Sequence, residues 1–85
     1  MKKQVVVQMS GFTEATPIAH LVQLANQYTS KVYLEMDDKK VNVKSIMGMM
    51  SLVLTEGSKV TVIAEGQDED KGLTAMEKFL TAERD

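Results

Sequence analysis

The apolar residues of this chain change their period along its length, and that change limits the fold more than any other feature. Val32, Leu34 and Met36 alternate with Lys31, Tyr33 and Glu35, the pattern of a strand with one buried face. Val60, Val62 and Ala64 repeat that alternation within Lys59 to Glu65. Ile18, Leu21, Val22 and Ala25 instead fall at i, i+3, i+4 and i+7, which is the stripe of an amphipathic helix. Leu73, Met76, Phe79 and Leu80 form a second helical face. Strand and helix periods that take turns point to a layer of helices on a sheet.

The segments between these stripes complete the order. Gln4 to Met9 is rich in Val and reads as a first strand. Ser10 to Glu14 reads as a loop, and Pro17 suits the first turn of a helix running to about Gln27. Tyr28-Thr29-Ser30 ends that helix. Asp37-Asp38 is a tight turn between the second strand and a third, Lys39 to Val43. A short helix follows Ser45 and ends near Leu54, and Glu56-Gly57 turns the chain. Gly66-Gln67 is a last turn, after which Asp68 caps the final helix and Glu69 and Asp70 complement its dipole. The order is βαββαβα. It predicts an α+β domain spanning 1–85, with one antiparallel sheet covered on one face by helices. The other face, carrying Tyr33 and Glu35, is expected in water.

Eighty-five residues place the core near the lower limit for independent stability. The absence of cysteine excludes disulfides and thiolate metal sites and fits a reducing cytoplasm. A net charge of −2 implies no general affinity for nucleic acid. The apolar run after Met1-Lys2-Lys3-Gln4 is too short for a signal peptide or a membrane span. No glycine-rich phosphate loop, metal-ligand cluster or Ser/His/Asp arrangement appears, so neither a cofactor nor a catalytic activity is expected. Lys39, Lys40, Lys44 and Lys59 read as solvated surface, although Lys44 is placed to steer an acidic partner toward Ser45.

The most informative stretch is Lys44-Ser45-Ile46-Met47-Gly48-Met49-Met50-Ser51-Leu52. Ser45 is a good N-cap, since its hydroxyl can accept from an unpaired N–H of the first turn. The same N–H groups would favour a phosphate. Gly48 costs the helix about 1 kcal/mol relative to Ala, so the helix needs tertiary support. Met47 and Met50 cannot both be buried if Met49 and Leu52 are. Displayed, adaptable methionine surface is typical of protein-binding sites.

That stretch resembles the regulatory-serine signature of the HPr family, the small phosphocarriers of the bacterial sugar phosphotransferase system. Leu21-Val22-Gln23, Leu34-Glu35, Lys40-Val41-Asn42-Val43 and Ile63-Ala64-Glu65-Gly66-Gln67-Asp68-Glu69 fit the same pattern at the same spacing. The likeness covers essentially the whole chain, and its flavour is that of the Crh-type regulatory branch. It implies the HPr-like open-faced β-sandwich, with four strands and three helices. It further implies that Ser45 is a substrate of HPr kinase/phosphorylase. The phosphorylated form would then act as corepressor of the catabolite control repressor through His20, Ile46, Met47 and Met50. The chain itself would touch neither DNA nor membrane.

One family feature is missing. Phosphate-carrying members use a histidine at the start of the first helix, followed by Ala, Arg and Pro. The matching stretch here is Phe12-Thr13-Glu14-Ala15-Thr16-Pro17. Counting back from Ser45 puts Glu14 at the histidine position and Thr16 at the arginine position. Counting forward from Gly11 puts Thr13 there instead. Neither residue supplies an imidazole nucleophile, and Thr16 lacks the guanidinium that would hold a phosphate. Loss of the phosphorelay is therefore expected. Two alternatives differ in class. In one, His20 serves as an atypical acceptor in the relay. In the other, the Met-rich patch binds a partner without phosphorylation. Strand exchange through the first strand would further permit a homodimer.

Overall fold

The computed structural model describes residues 1–8, 15–52 and 56–81, the side chains of 15–17 excepted. In chain order the elements are β1 (Lys2–Val6), α1 (Ala15–Ala25), β2 (Lys31–Met36), β3 (Lys39–Asn42), α2 (Ile46–Met50), β4 (Lys59–Glu65) and α3 (Glu69–Leu80). The strands form one sheet in the order β1-β4-β2-β3, and each neighbouring pair is antiparallel. This is the expected α+β open-faced sandwich.

The two periods explain the layers. Val32 and Leu34 of β2 and Val60, Val62 and Ala64 of β4 point to one face and are buried. Ile18, Leu21 and Ala25 of α1 and Leu73, Met76 and Leu80 of α3 cover that face, with Met49 and Leu52 closing it beneath α2. Each fully buried Leu or Val contributes on the order of 1.5–3 kcal/mol. Val22 and Phe79, expected in the stripes, are only partly buried and pack at the rim of this core. On the open face Tyr33 lies opposite Ile63 and Asn42, and the Lys40 ammonium stands 4.7 Å from the centre of its ring.

Four boundaries in the first half of the chain differ from the pattern reading. β1 starts two residues earlier than expected because Lys2 and Lys3 pair with Ile63 and Val62. Lys3 reaches over the helix side to Glu77 at 2.5 Å. The strand ends at Val6, since Val7 N donates to Ser58 O and Gln8 N to Leu80 O, both at 2.8 Å, as the chain leaves the sheet. Met9 and the expected loop at Ser10–Glu14 lie outside the described residues. α1 stops at Ala25, where Gln27 N and Tyr28 N donate to carbonyls three residues back and tighten the last turn. β3 stops at Asn42, one residue short of Val43. The Asp37-Asp38 turn forms as expected, with Asp37 itself taking a positive φ of 55°.

Asp68 is a correction of another kind. It stands before α3, but its side chain makes no capping bond there. It turns instead to the segment between α1 and β2. One carboxylate oxygen accepts from Ser30 N at 2.9 Å and from the Ser30 hydroxyl, and the other accepts from Thr29 N at 3.0 Å. The Ser30 hydroxyl, followed by the Thr29 N–H, lowers the carboxyl pKa to about 2. Gly66, at φ 149°, lies against Ser30 so closely that a Cβ would come within 2.8 Å of Ser30 Cα. Ser30 is the buried polar residue at the centre of this clamp.

Candidate functional site

The site begins where β3 runs out. Asn42 closes a turn with both of its oxygens: Oδ1 accepts from Lys44 N at 2.9 Å and the backbone O from Ser45 N at 3.0 Å. Asn at such a position is a recognised turn signal, one that the strand reading through Val43 passed over. Val43 points down into the core and its N–H donates to Val32 O at 2.9 Å. The Lys44 ammonium donates to Tyr28 O at 2.7 Å, at the end of α1. Lys44 therefore ties two segments together, a role its position in the sequence did not announce. That tie was not legible, because it joins residues 16 apart in sequence.

These three fixings deliver Ser45 to the start of α2 with an extended backbone, φ −106° and ψ 115°. Its Oγ accepts from Gly48 N at 3.2 Å, and its carbonyl accepts from Met49 N at 3.0 Å. The expected N-cap is present, and the residue is exposed. α2 is short, five residues, against an expectation that it would run to about Leu54. Ser51 ends it: its N–H reaches Gly48 O and Met49 O, and its hydroxyl donates to Gly48 O at 2.6 Å. Residues 53–55 lie outside the described residues.

So short a helix has little dipole of its own and is held by what lies below it. Met49 is fully buried and Leu52 nearly so. The remaining apolar side chains have nowhere to go. Ile46 is 43%, Met47 82% and Met50 58% exposed. This is the division among the methionines that the spacing demanded. α2 also packs beside α1, whose His20 is exposed. Of the residues assigned to the degenerate histidine site, Thr13 and Glu14 lie outside the described residues. Thr16 falls in α1, with its side chain likewise outside. Among the described residues no three His, Cys, Asp or Glu side chains gather as a cation site. None of the described helices is long and apolar enough to cross a membrane.

Fold and site together define a small helices-on-sheet domain that displays a capped, exposed serine beside exposed apolar side chains. A family model for the PTS HPr component phosphorylation site matches residues 1–82, and the chain belongs to this HPr family. It is 46% identical over 83 residues to the HPr-like protein Crh of Halalkalibacterium halodurans, covering 98% of this chain and 99% of that one. The phosphocarrier protein HPr of Bacillus anthracis superposes with a TM-score of 0.90 at 39% identity, covering 94% of this chain and 95% of that one. The Crh of Bacillus subtilis, described as a catabolite repression protein that forms a swapped dimer, gives a TM-score of 0.80 at 44% identity, covering 94% and 87%.

Proposed function

We propose that this chain is a Crh-type regulator of carbon catabolite control, acting in the cytoplasm as one HPr-like domain and switched by phosphorylation of Ser45. The observation that carries the reading is the pairing of an exposed cap hydroxyl with three exposed apolar side chains, Ile46, Met47 and Met50, on one short helix. HPr kinase/phosphorylase is the enzyme that would act on Ser45. The phosphate would add about 1.5–2 negative charges beside the Gly48 N–H. With a helix of five residues, local N–H donors would hold it, rather than a macrodipole. The phosphoserine would then stand next to the Met47 and Met50 surface, a charged spot beside an apolar one. A catabolite control repressor would read both together, with His20 on the neighbouring helix at the rim.

The same reading treats Thr13, Glu14 and Thr16 as a degenerate relay site, so that the chain accepts no phosphate from the general phosphocarrier pathway. Self-association is compatible with it: the B. subtilis relative forms a swapped dimer, and β1 here is an edge strand whose one strand neighbour is β4.

The test is intact-mass analysis after incubation with ATP and HPr kinase, followed by site mapping and repressor binding. The reading expects one added phosphate, absent from Ser45→Ala, and repressor binding that depends on it. Repressor binding by Ser45→Ala equal to that of the phosphorylated chain would replace the switch with a constitutive patch. Label taken from phosphoenolpyruvate and held on His20 would restore the relay.

A further inference from the structure

Gly48 has no structural reason to be glycine. Its backbone is helical, outside the positive-φ region occupied by Gly57 and Gly66. A Cβ there would meet Ser45 Oγ at 3.5 Å and Ser45 Cβ and Asn42 O at 3.6 Å, all ordinary contact distances. Alanine would fit, and the helix would gain from it. Glutamate or glutamine at this third helical position would do more, by closing a capping box with Ser45. Local stability therefore argues against glycine at 48. The atoms nearest the missing Cβ belong to Ser45 and Asn42, not to α1 or the core. The space that glycine leaves open adjoins the serine hydroxyl.

We infer that Gly48 is a specificity-determining residue for phosphoryl transfer to Ser45, because its bare Cα keeps one flank of the hydroxyl open to the incoming group. This rests on Ser45 being the acceptor. In the transfer, Ser45 Oγ bonds to the γ-phosphorus of a nucleoside triphosphate. The bond from that phosphorus to the bridging oxygen breaks, the nucleoside diphosphate leaves, and the hydroxyl proton passes to a base on the kinase. The phosphoryl oxygens then crowd around Oγ, where a methyl group 3.5 Å away narrows their space. A glutamate side chain grown from that carbon adds like-charge repulsion. The N–H that Gly48 already donates to Oγ, at 3.2 Å, remains available to the product.

The experiment compares wild type, Gly48→Ala, Gly48→Glu and Ser45→Ala for rate of phosphorylation by HPr kinase, melting temperature and repressor binding after phosphorylation. Gly48→Ala should melt at or above the wild-type temperature and lose at least about tenfold in kcat with KM little changed, a barrier change of about 1.4 kcal/mol. Gly48→Glu should lose more. A rate loss in a chain of undiminished stability is not a folding defect. Wild-type kcat for Gly48→Ala would overturn the inference, as would a lowered melting temperature, which would give the glycine a structural role. Normal phosphorylation with lost repressor binding would assign Gly48 to the partner's footprint and overturn it as well. No phosphorylation of the wild type would remove the inference together with the reading beneath it, a result separable from the others.

Discussion

Two helix starts in this molecule look alike in sequence and do opposite work. At α2 a serine precedes a glycine by three residues; at α3 a glycine precedes an aspartate by two. Ser45 caps its own helix and stays exposed. Asp68 leaves its own helix uncapped by its side chain and holds Thr29 and Ser30, nearly forty residues back. The glycines divide the same way. Gly66 has no room for a Cβ and a φ that only glycine takes easily, whereas Gly48 has both room and an ordinary helical backbone. One junction is built for architecture. The other leaves a capped serine and three apolar side chains exposed.

The sharpest way to break the comparison is to put alanine at both glycines. Gly66→Ala combines an unfavourable φ with a clash against Ser30 backbone. It should cost about 3 kcal/mol, read as a fall in the denaturant midpoint. Gly48→Ala should move the other way, with a gain of about 0.5–1 kcal/mol. Equal effects at the two sites would end the distinction.

Acid is the next lever. The Asp68 carboxyl titrates lower in the folded chain, about 2, than its ordinary value of 3.8. A depressed folded pKa means that its contribution to stability is complete above pH 4 or so and is lost as pH falls from there toward 2. Asp68→Asn removes that dependence. Its melting temperature should fall below wild type at pH 7, and the gap should close as pH approaches 2. A gap that stayed constant with pH would mean the clamp does not depend on the charge. No comparable acid dependence is expected from Ser45→Ala, since the hydroxyl it removes does not titrate in this range.

The contrast also sets what could be read from residues alone. The strand Lys59–Glu65 and the layer order came from apolar period, because period reports which face is buried. Ser45 as a cap was legible, since capping is local and spans three residues. The division of Met47 and Met50 from Met49 followed from crowding on one short helix. Asp68 was misread for the complementary reason. Its local signature is that of a cap, and the contact that overrides it joins segments that only the folded sheet brings together. The Lys44 tie escaped for the same reason, its ammonium being held by the end of α1. The shift of β1 toward Lys2 and Lys3 came from pairing with β4, which composition does not report.

The smallest effect carries the most about Ser45. Ser45→Ala removes the bond to Gly48 N and should cost about 1 kcal/mol, within the usual range for a lost N-cap. That loss would blur any test of the switch, because a weakened α2 also disorders the displayed methionines. Ser45→Asn avoids the problem. Its side-chain oxygen can accept from the same N–H, so stability should stay within a few tenths of a kcal/mol of wild type in thermal unfolding. It offers no hydroxyl to phosphorylate, so phosphorylation-dependent repressor binding should vanish in a chain that is otherwise intact. If Ser45→Asn proved as unstable as Ser45→Ala, the cap geometry would be specific to serine, and architecture and access would no longer be separable at this junction. If it bound the repressor untreated, the exposed Ile46, Met47 and Met50 surface alone would suffice, and the difference between the two helix starts would lie in packing rather than in a switch.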